Sequence, residues 1–206
     1  MLSWRSTVES RRAEAGDGHR KRCSDMLRGG LVLAVAALDA VVLDCIVEAI
    51  PKLAVRGELG GAVATKVTTA EVLRCFGETD PHRALHDLCQ TKYSAITFQK
   101  VETIEANLCD SVGCGLPWSR AAARLQAVGP IWAEQALKAA TWNEKSVKRQ
   151  LNEYVKRRNR IAHDGDRAKG ARRTSPITLG YVADASRFLR EVGMAIGEVV
   201  DAHLGA

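Results

Sequence analysis

Glycine, proline and cysteine are all sparse in this chain, at 17, 5 and 6 of 206 residues. So little glycine excludes a collagen-like repeat, and so few cysteines exclude a disulfide scaffold. The thiols, Cys23, Cys45, Cys75, Cys89, Cys109 and Cys114, form no CxxC pair and follow no repeat spacing. Reduced cysteines and a cytoplasmic setting are therefore the expectation. The opening residues lack the apolar h-region of a secretory signal, since Met1 to Ser10 already carries Arg5 and Glu9. What is present sits near globular averages, 46% hydrophobic and 26% charged, which argues against wholesale disorder.

One strongly apolar run stands out, Leu31 to Ile50, broken by Asp39, Asp44 and Glu48. An acid at the centre of a bilayer costs roughly 2.5–3.5 kcal/mol. The run is therefore expected to be a buried core helix, with no membrane as partner.

Alternating strand patterns and internal repeats are also missing, and helical periodicity dominates. Residues 3–15 predict a short helix that ends at Gly16-Asp17-Gly18. A long helix follows, capped by Ser24 or Asp25 and ended by Pro51. Thr68 or Thr69, with Glu71 in the first turn, opens a short helix to Phe76. Asp80-Pro81 pairs an N-cap with a first-position proline. Further helices are expected over roughly 98–111, over 118–140 with an interruption at Gly129-Pro130, and from Glu144 to His163. In the last one, Tyr181, Ala185, Phe188, Val192, Ala195 and Val199 form one continuous apolar face. The fold class is all-α, a single helical bundle with extra short helices, with residues 1–23 read as a basic N-terminal segment and 24–206 as the domain.

The net charge of +6 is unevenly distributed. Between Glu144 and Arg173 lie eleven basic residues against four acidic ones, so that stretch alone carries +7 and the remainder is close to neutral. Such density attracts phosphate backbones, although a solvated helix face followed by a basic loop would look the same.

Within this stretch the run Arg157-Arg158-Asn159-Arg160-Ile161-Ala162-His163-Asp164-Gly165-Asp166 carries the chemistry. Projected from Val147 at about 100° per residue, Leu151, Tyr154, Val155, Ile161 and Ala162 share one stripe. Arg158 falls about 20° from its origin, whereas Arg157 and Arg160 point elsewhere. A core-facing arginine needs a partner or a purpose, and Asp39 and Asp44 are the candidate partners. His163 occupies the last turn, where the helix dipole favours a cation, and Asn159 lies four residues before it, on the same side.

An inward guanidinium and a nearby imidazole suit phosphodiester cleavage, because RNA brings its own nucleophile, the 2′-hydroxyl. The histidine would move a proton and the arginine would stabilise charge growing on phosphorus. The bare Arg-to-His spacing proves little, since Arg12 and His19 also satisfy it.

The surrounding residues add specificity. Arg158-Asn159-Arg160-Ile161-Ala162-His163 resembles the signature of the HEPN superfamily, and with Asp164-Gly165 behind it is similar to the RiboL-PSP-type branch. The run Leu31 to Ala40, and Thr97 to Glu105 followed by Gly115 and Trp118, fit that branch too. The resemblance implies a HEPN-like bundle that dimerises, with the Arg/His motifs of two copies meeting in one composite cleft. It implies a metal-independent endoribonuclease that uses no cofactor and leaves 2′,3′-cyclic phosphate ends, of the kind found in toxin–antitoxin, anti-phage and CRISPR systems. Arg158 would then hold the scissile phosphate, His163 would be the general acid or base, and Asn159 would orient them. Lys156, Arg157 and Arg160 would bind RNA, and an acidic antitoxin or regulatory protein would restrain the enzyme. The alternative within the same family is a non-catalytic module that binds RNA or protein.

Other patterns are weaker. His82, His86 and Cys89 have metal-ligand spacing on a helix but no clear fourth ligand, so no metal is expected. Glu102 and Glu105 read as a solvated face, and His203 as a cation closing the last helix. Gly29-Gly30 and Gly60-Gly61 follow no strand and precede no GK[ST].

Overall fold

The computed structural model describes residues 22–58, 66–129, 141–167 and 174–205, together with the helical backbone of residues 3–21. Seven helices make up the described part: α1 (Ser3–Arg56), α2 (Thr69–Phe76), α3 (Pro81–Tyr93), α4 (Val101–Ala106), α5 (Trp118–Val128), α6 (Glu144–Asp164) and α7 (Leu179–Leu204). A single π turn, Asn107–Val112, continues α4. No strand occurs among the described residues; there is one isolated bridge, between Arg167 and Thr174. The fold is all-α.

Local chemistry sets most boundaries as expected. Thr68 and Glu71 form a reciprocal capping box on α2, and Asp80 accepts from the Arg83 N–H ahead of Pro81. Asn143 and Ser146 cap α6 in the same reciprocal way. Two expected stops fail. The α1 backbone runs straight through Gly16-Asp17-Gly18, so the helix expected over residues 3–15 does not end there. It also runs through Pro51 to Arg56. Proline removes one ladder hydrogen bond, but Ile50, Pro51 and Leu53 are all buried, and that packing holds the last turns. The second half of the predicted 118–140 segment and most of the basic loop, residues 168–173, lie outside the described residues.

The core forms along α1. Leu31, Val35, Leu38, Val42 and Ile46 repeat at helical spacing and are all buried. They meet Ala185, Phe188, Val192, Ala195 and Ile196 of α7 in one cluster. The two helices run parallel, with Gly30 beside Val182 and Leu38 and Val41 beside Gly193. At Gly30 a methyl group would lie 3.3 Å from the Val182 side chain, so glycine permits this close approach.

Polar groups in the interior are tied across elements. Asp39 accepts from the Phe98 backbone N–H and, at 3.2 Å, from Gln99 Nε2, which fixes the entry to α4 on α1. Trp118 is fully buried and donates from Nε1 to Glu105 at 2.7 Å. Lys148 of α6 reaches the same carboxylate at 2.6 Å. Glu191, 2% exposed, takes Arg124 of α5 at 2.8 Å and Arg190 at 2.7 Å. Burial alone would raise the Glu191 carboxyl, but Arg190 and Arg124 outweigh it and hold the group below the usual carboxylate range.

The apolar run differs from expectation in its burial. The segment Arg22–Arg56 reaches a mean hydropathy of 2.4 over 18 residues, enough by length and composition to cross a membrane, yet only 33% of that window is buried. One side of α1 builds the core, and the other carries Met26, Leu33 and Val41 into the open.

Asp39→Ala is expected to cost about 1–3 kcal/mol, because it leaves a backbone N–H and an amide without their acceptor. Urea unfolding compared with wild type measures this, and an unchanged midpoint would show that the pairing carries no stability.

Candidate functional site

Helix α6 brings the motif to the bundle. Val147, Leu151, Tyr154 and Val155 are buried, as the projection requires. The stripe then leaves the core: Ile161 is half-buried, while Ala162 and His163 are exposed. The motif therefore sits where α6 emerges from the bundle into solvent.

Arg158 is half-buried, and neither expected acid pairs with it. Asp39 is occupied by Phe98 and Gln99, and Asp44 lies exposed on α1. Arg158 Nη1 instead donates to Asn159 Oδ1 at 3.0 Å, and its buried Nε has no hydrogen-bond partner. On an ideal helix Arg158 and His163 stand about 140° apart, with Asn159 between them, only about 40° from His163. The bond to Asn159 thus draws the guanidinium round the helix toward the His163 side. No hydrogen bond joins His163 to Arg158 or Asn159 among the described residues.

The acid that organises the region is Asp166, which the sequence reading passed over. It is completely buried and adopts a left-handed φ of 62° immediately after Gly165, at φ 60°. Two such residues in succession fold the chain back under the end of α6; glycine and aspartate are among the residues that tolerate this region. The backbone N–H groups of Gly165 and Asp166 both donate to the Arg160 carbonyl.

The Asp166 carboxylate then gathers three guanidinium groups. Arg157 lies at 2.9 Å, Arg28 of α1 at 3.2 Å and Arg160 at 3.3 Å. Burial would raise this carboxyl, but hydrogen bonds and charge from Arg157, helped by Arg28 and Arg160, hold it below its ordinary value.

The same arginines secure the loop beyond. Arg28 donates to the Ser175 carbonyl at 3.0 Å and Arg157 to the Pro176 carbonyl at 2.8 Å. Arg157 also lies 4.9 Å over the Tyr181 ring, which itself meets Tyr154 edge-on.

Of the three expected RNA contacts, Arg157 and Arg160 are thus committed to Asp166. Arg157 is largely covered, whereas Arg160 keeps 36% of its side chain exposed. Lys156 is exposed and pairs with Glu153 at 2.9 Å, a surface contact that RNA would readily displace. Lys169, Arg172 and Arg173 lie outside the described residues, as do the side chains of Arg12 and His19. The metal-spaced triplet does not converge. Cys89 is buried with its thiol pushed up to about 12 by burial and by Cys75 nearby, His86 lies against Glu48 and Asp87, and His82 is exposed. No group of three or more metal-ligating side chains gathers among the described residues.

A signal for Arg28 was present in the sequence. It lies three and seven residues before Leu31 and Val35, on the apolar face of α1, so the test that singled out Arg158 singles out Arg28 as well. Asp166 carried no such mark, because its role depends on the left-handed turn.

No family model, curated protein or solved structure matches the chain.

The depressed Asp166 carboxyl links this cluster to pH. Its stabilisation is complete above the unfolded carboxyl value of about 3.9 and is lost as pH falls through the lower folded value. Asp166→Asn is expected to lower stability at pH 7 by roughly 2–4 kcal/mol, with the gap to wild type closing as the pH drops below about 4. Thermal melts of both proteins from neutral to acid pH test this, and a gap of constant size would refute the assignment.

Proposed function

We propose that the chain is a metal-independent endoribonuclease of HEPN type. The single observation that carries this reading is the division among four arginines at the end of α6. Arg28, Arg157 and Arg160 each pair with one buried carboxylate, and Arg28 also with Asp25, while Arg158 has no carboxylate within ion-pair distance among the described residues. Keeping a half-buried guanidinium unpaired is unfavourable unless an anion completes it. Its partner Asn159 holds it on the side of the helix where His163 stands in solvent.

A phosphodiester of RNA fits that arrangement. Arg158 would donate to the non-bridging phosphate oxygens, whose negative charge grows as the 2′-oxygen attacks. The 2′-hydroxyl loses its proton, the new O–P bond closes a 2′,3′-cyclic phosphate, and the 5′-oxygen leaves with a proton to give a 5′-hydroxyl end. One imidazole can serve as base or as acid in a given turnover, and two imidazoles can do both. A homodimer in which two motifs face one cleft would provide the pair. Exposed Lys156 and the outer part of Arg160 would hold the flanking phosphates. An enzyme of this kind fits a toxin or anti-phage effector restrained by an acidic antitoxin or regulatory protein.

Mixed cellular RNA incubated with the protein in EDTA is expected to yield fragments with cyclic-phosphate ends. His163→Ala should reduce cleavage by about 10²–10⁴-fold and Arg158→Ala by about 10²–10³-fold, with unchanged circular dichroism in both. If His163→Ala cuts as fast as wild type, the mechanism is wrong. Salt-sensitive RNA binding without products would identify a non-catalytic binding module instead.

A further inference from the structure

The side of α1 turned away from the core carries a second message. Measured from Met26 at about 100° per residue, Arg22, Gly29, Leu33, Ala37, Ala40, Asp44 and Val55 all fall within about 60° of one line. Every one of them is exposed, with Leu33 at 70% and Met26 at 78%. Met194 of α7, 51% exposed and next to the glycine beside Val41, widens the strip. From Met26 to Val41 the strip is wholly apolar and mostly small-chained, and so open to close approach by another helix. Its two ends carry opposite charge. Arg22 closes one end, and Asp44 followed by Glu48 closes the other. Neither Arg22 nor Asp44 has an ion-pair partner among the described residues, whereas Glu48 is already shared between Lys52 and His86.

We propose that this strip is the docking surface for a second copy of the chain, laid antiparallel about a twofold axis near Leu33. Such an arrangement is self-complementary, as a twofold interface must be. Arg22 of each copy falls opposite Asp44 of the other, Leu33 meets Leu33, and the alanines and glycines let the two backbones approach closely. Parallel alignment would put like charges together at both ends. A bilayer is the poorer occupant. The strip has no tryptophan or tyrosine to anchor it, and the opposite side of α1 is the core of a bundle rather than a polar face turned to water.

The interface is also separate from the cleft in which two motifs would meet. Arg28, which holds the motif loop through Asp166, projects about 160° away from the strip. The inference therefore stands or falls independently of the nuclease reading. About 33 Å of helix, from Arg22 to Asp44 at 1.5 Å per residue, makes a modest contact, so an affinity in the micromolar range is expected.

Sedimentation velocity of the full chain over a concentration series tests the proposal. Wild type should show a concentration-dependent association step that Leu33→Glu removes, with unchanged circular dichroism and with any pairing through the motif cleft left in place. Arg22→Glu should weaken the dimer about tenfold, and adding Asp44→Arg should restore it, which only an antiparallel pairing predicts. In a Cys23→Ser, Cys109→Ser background, Leu33→Cys should form a disulfide-linked dimer under mild oxidation. Three results would overturn the proposal: a wild type that stays monomeric throughout, association indifferent to Leu33→Glu, or a monomer that floats with phosphatidylcholine–phosphatidylglycerol vesicles through Leu33.

Discussion

The carboxylate of Asp166 lies completely out of solvent and in contact with three guanidinium groups from two helices. One negative charge facing three positive ones is an uneven bargain in isolation, and it works because the arginines are not spent on that carboxylate alone. Arg28 and Arg157 each also satisfy a backbone carbonyl of the returning chain, and Arg157 rests on Tyr181. The cluster therefore does three jobs together. It stops α6, it attaches the end of α6 to the middle of the core helix α1, and it fixes where the chain re-enters the bundle before α7. Buried charge of this kind adds less to stability than to the uniqueness of an arrangement.

The position of the motif follows from this. His163 lies three residues before Asp166, in the last turn of a helix whose end is fixed both by the two left-handed residues and by the arginines. An exposed side chain on a rigid helix end is better placed for proton transfer than the same side chain on a loop. Arg158 benefits differently: its neighbours take up the available carboxylate, and it retains a bond only to a neutral amide.

Much of the bundle was legible in the sequence because helix starts are written locally. Thr68 with Glu71 and Asp80 with Pro81 are short-range signals, and each sits where its spacing placed it. The stops at Gly16-Asp17-Gly18 and Pro51 failed because a residue's helix penalty is a bias and not a barrier. Glycine costs a helix about 1 kcal/mol and proline about 3 kcal/mol, and at Pro51 the buried Ile50 and Leu53 supply packing that offsets the larger penalty. The burial of Leu31 to Ile50 was only half legible, since hydrophobicity marks what avoids water and not which partner covers it. At the motif, the projection placed Arg158 against the bundle, yet its partner came from the next residue rather than from Asp39 or Asp44. Charges on separate helices are paired by the final geometry, and a linear sequence does not contain that geometry. Asp166 was hidden for the same reason.

The bridge between Arg167 and Thr174 closes the six residues 168–173 at their base. Just outside it, the chain is clamped on one side by Asp166 and on the other by the carbonyls of Ser175 and Pro176. Both stems of that segment are already held to the bundle. The cost of closing a loop rises only slowly with its length. This segment is thus a place where the chain can change composition or gain residues while the bundle stays as it is. Selection acting on what lies next to the motif can proceed there without renegotiating the fold.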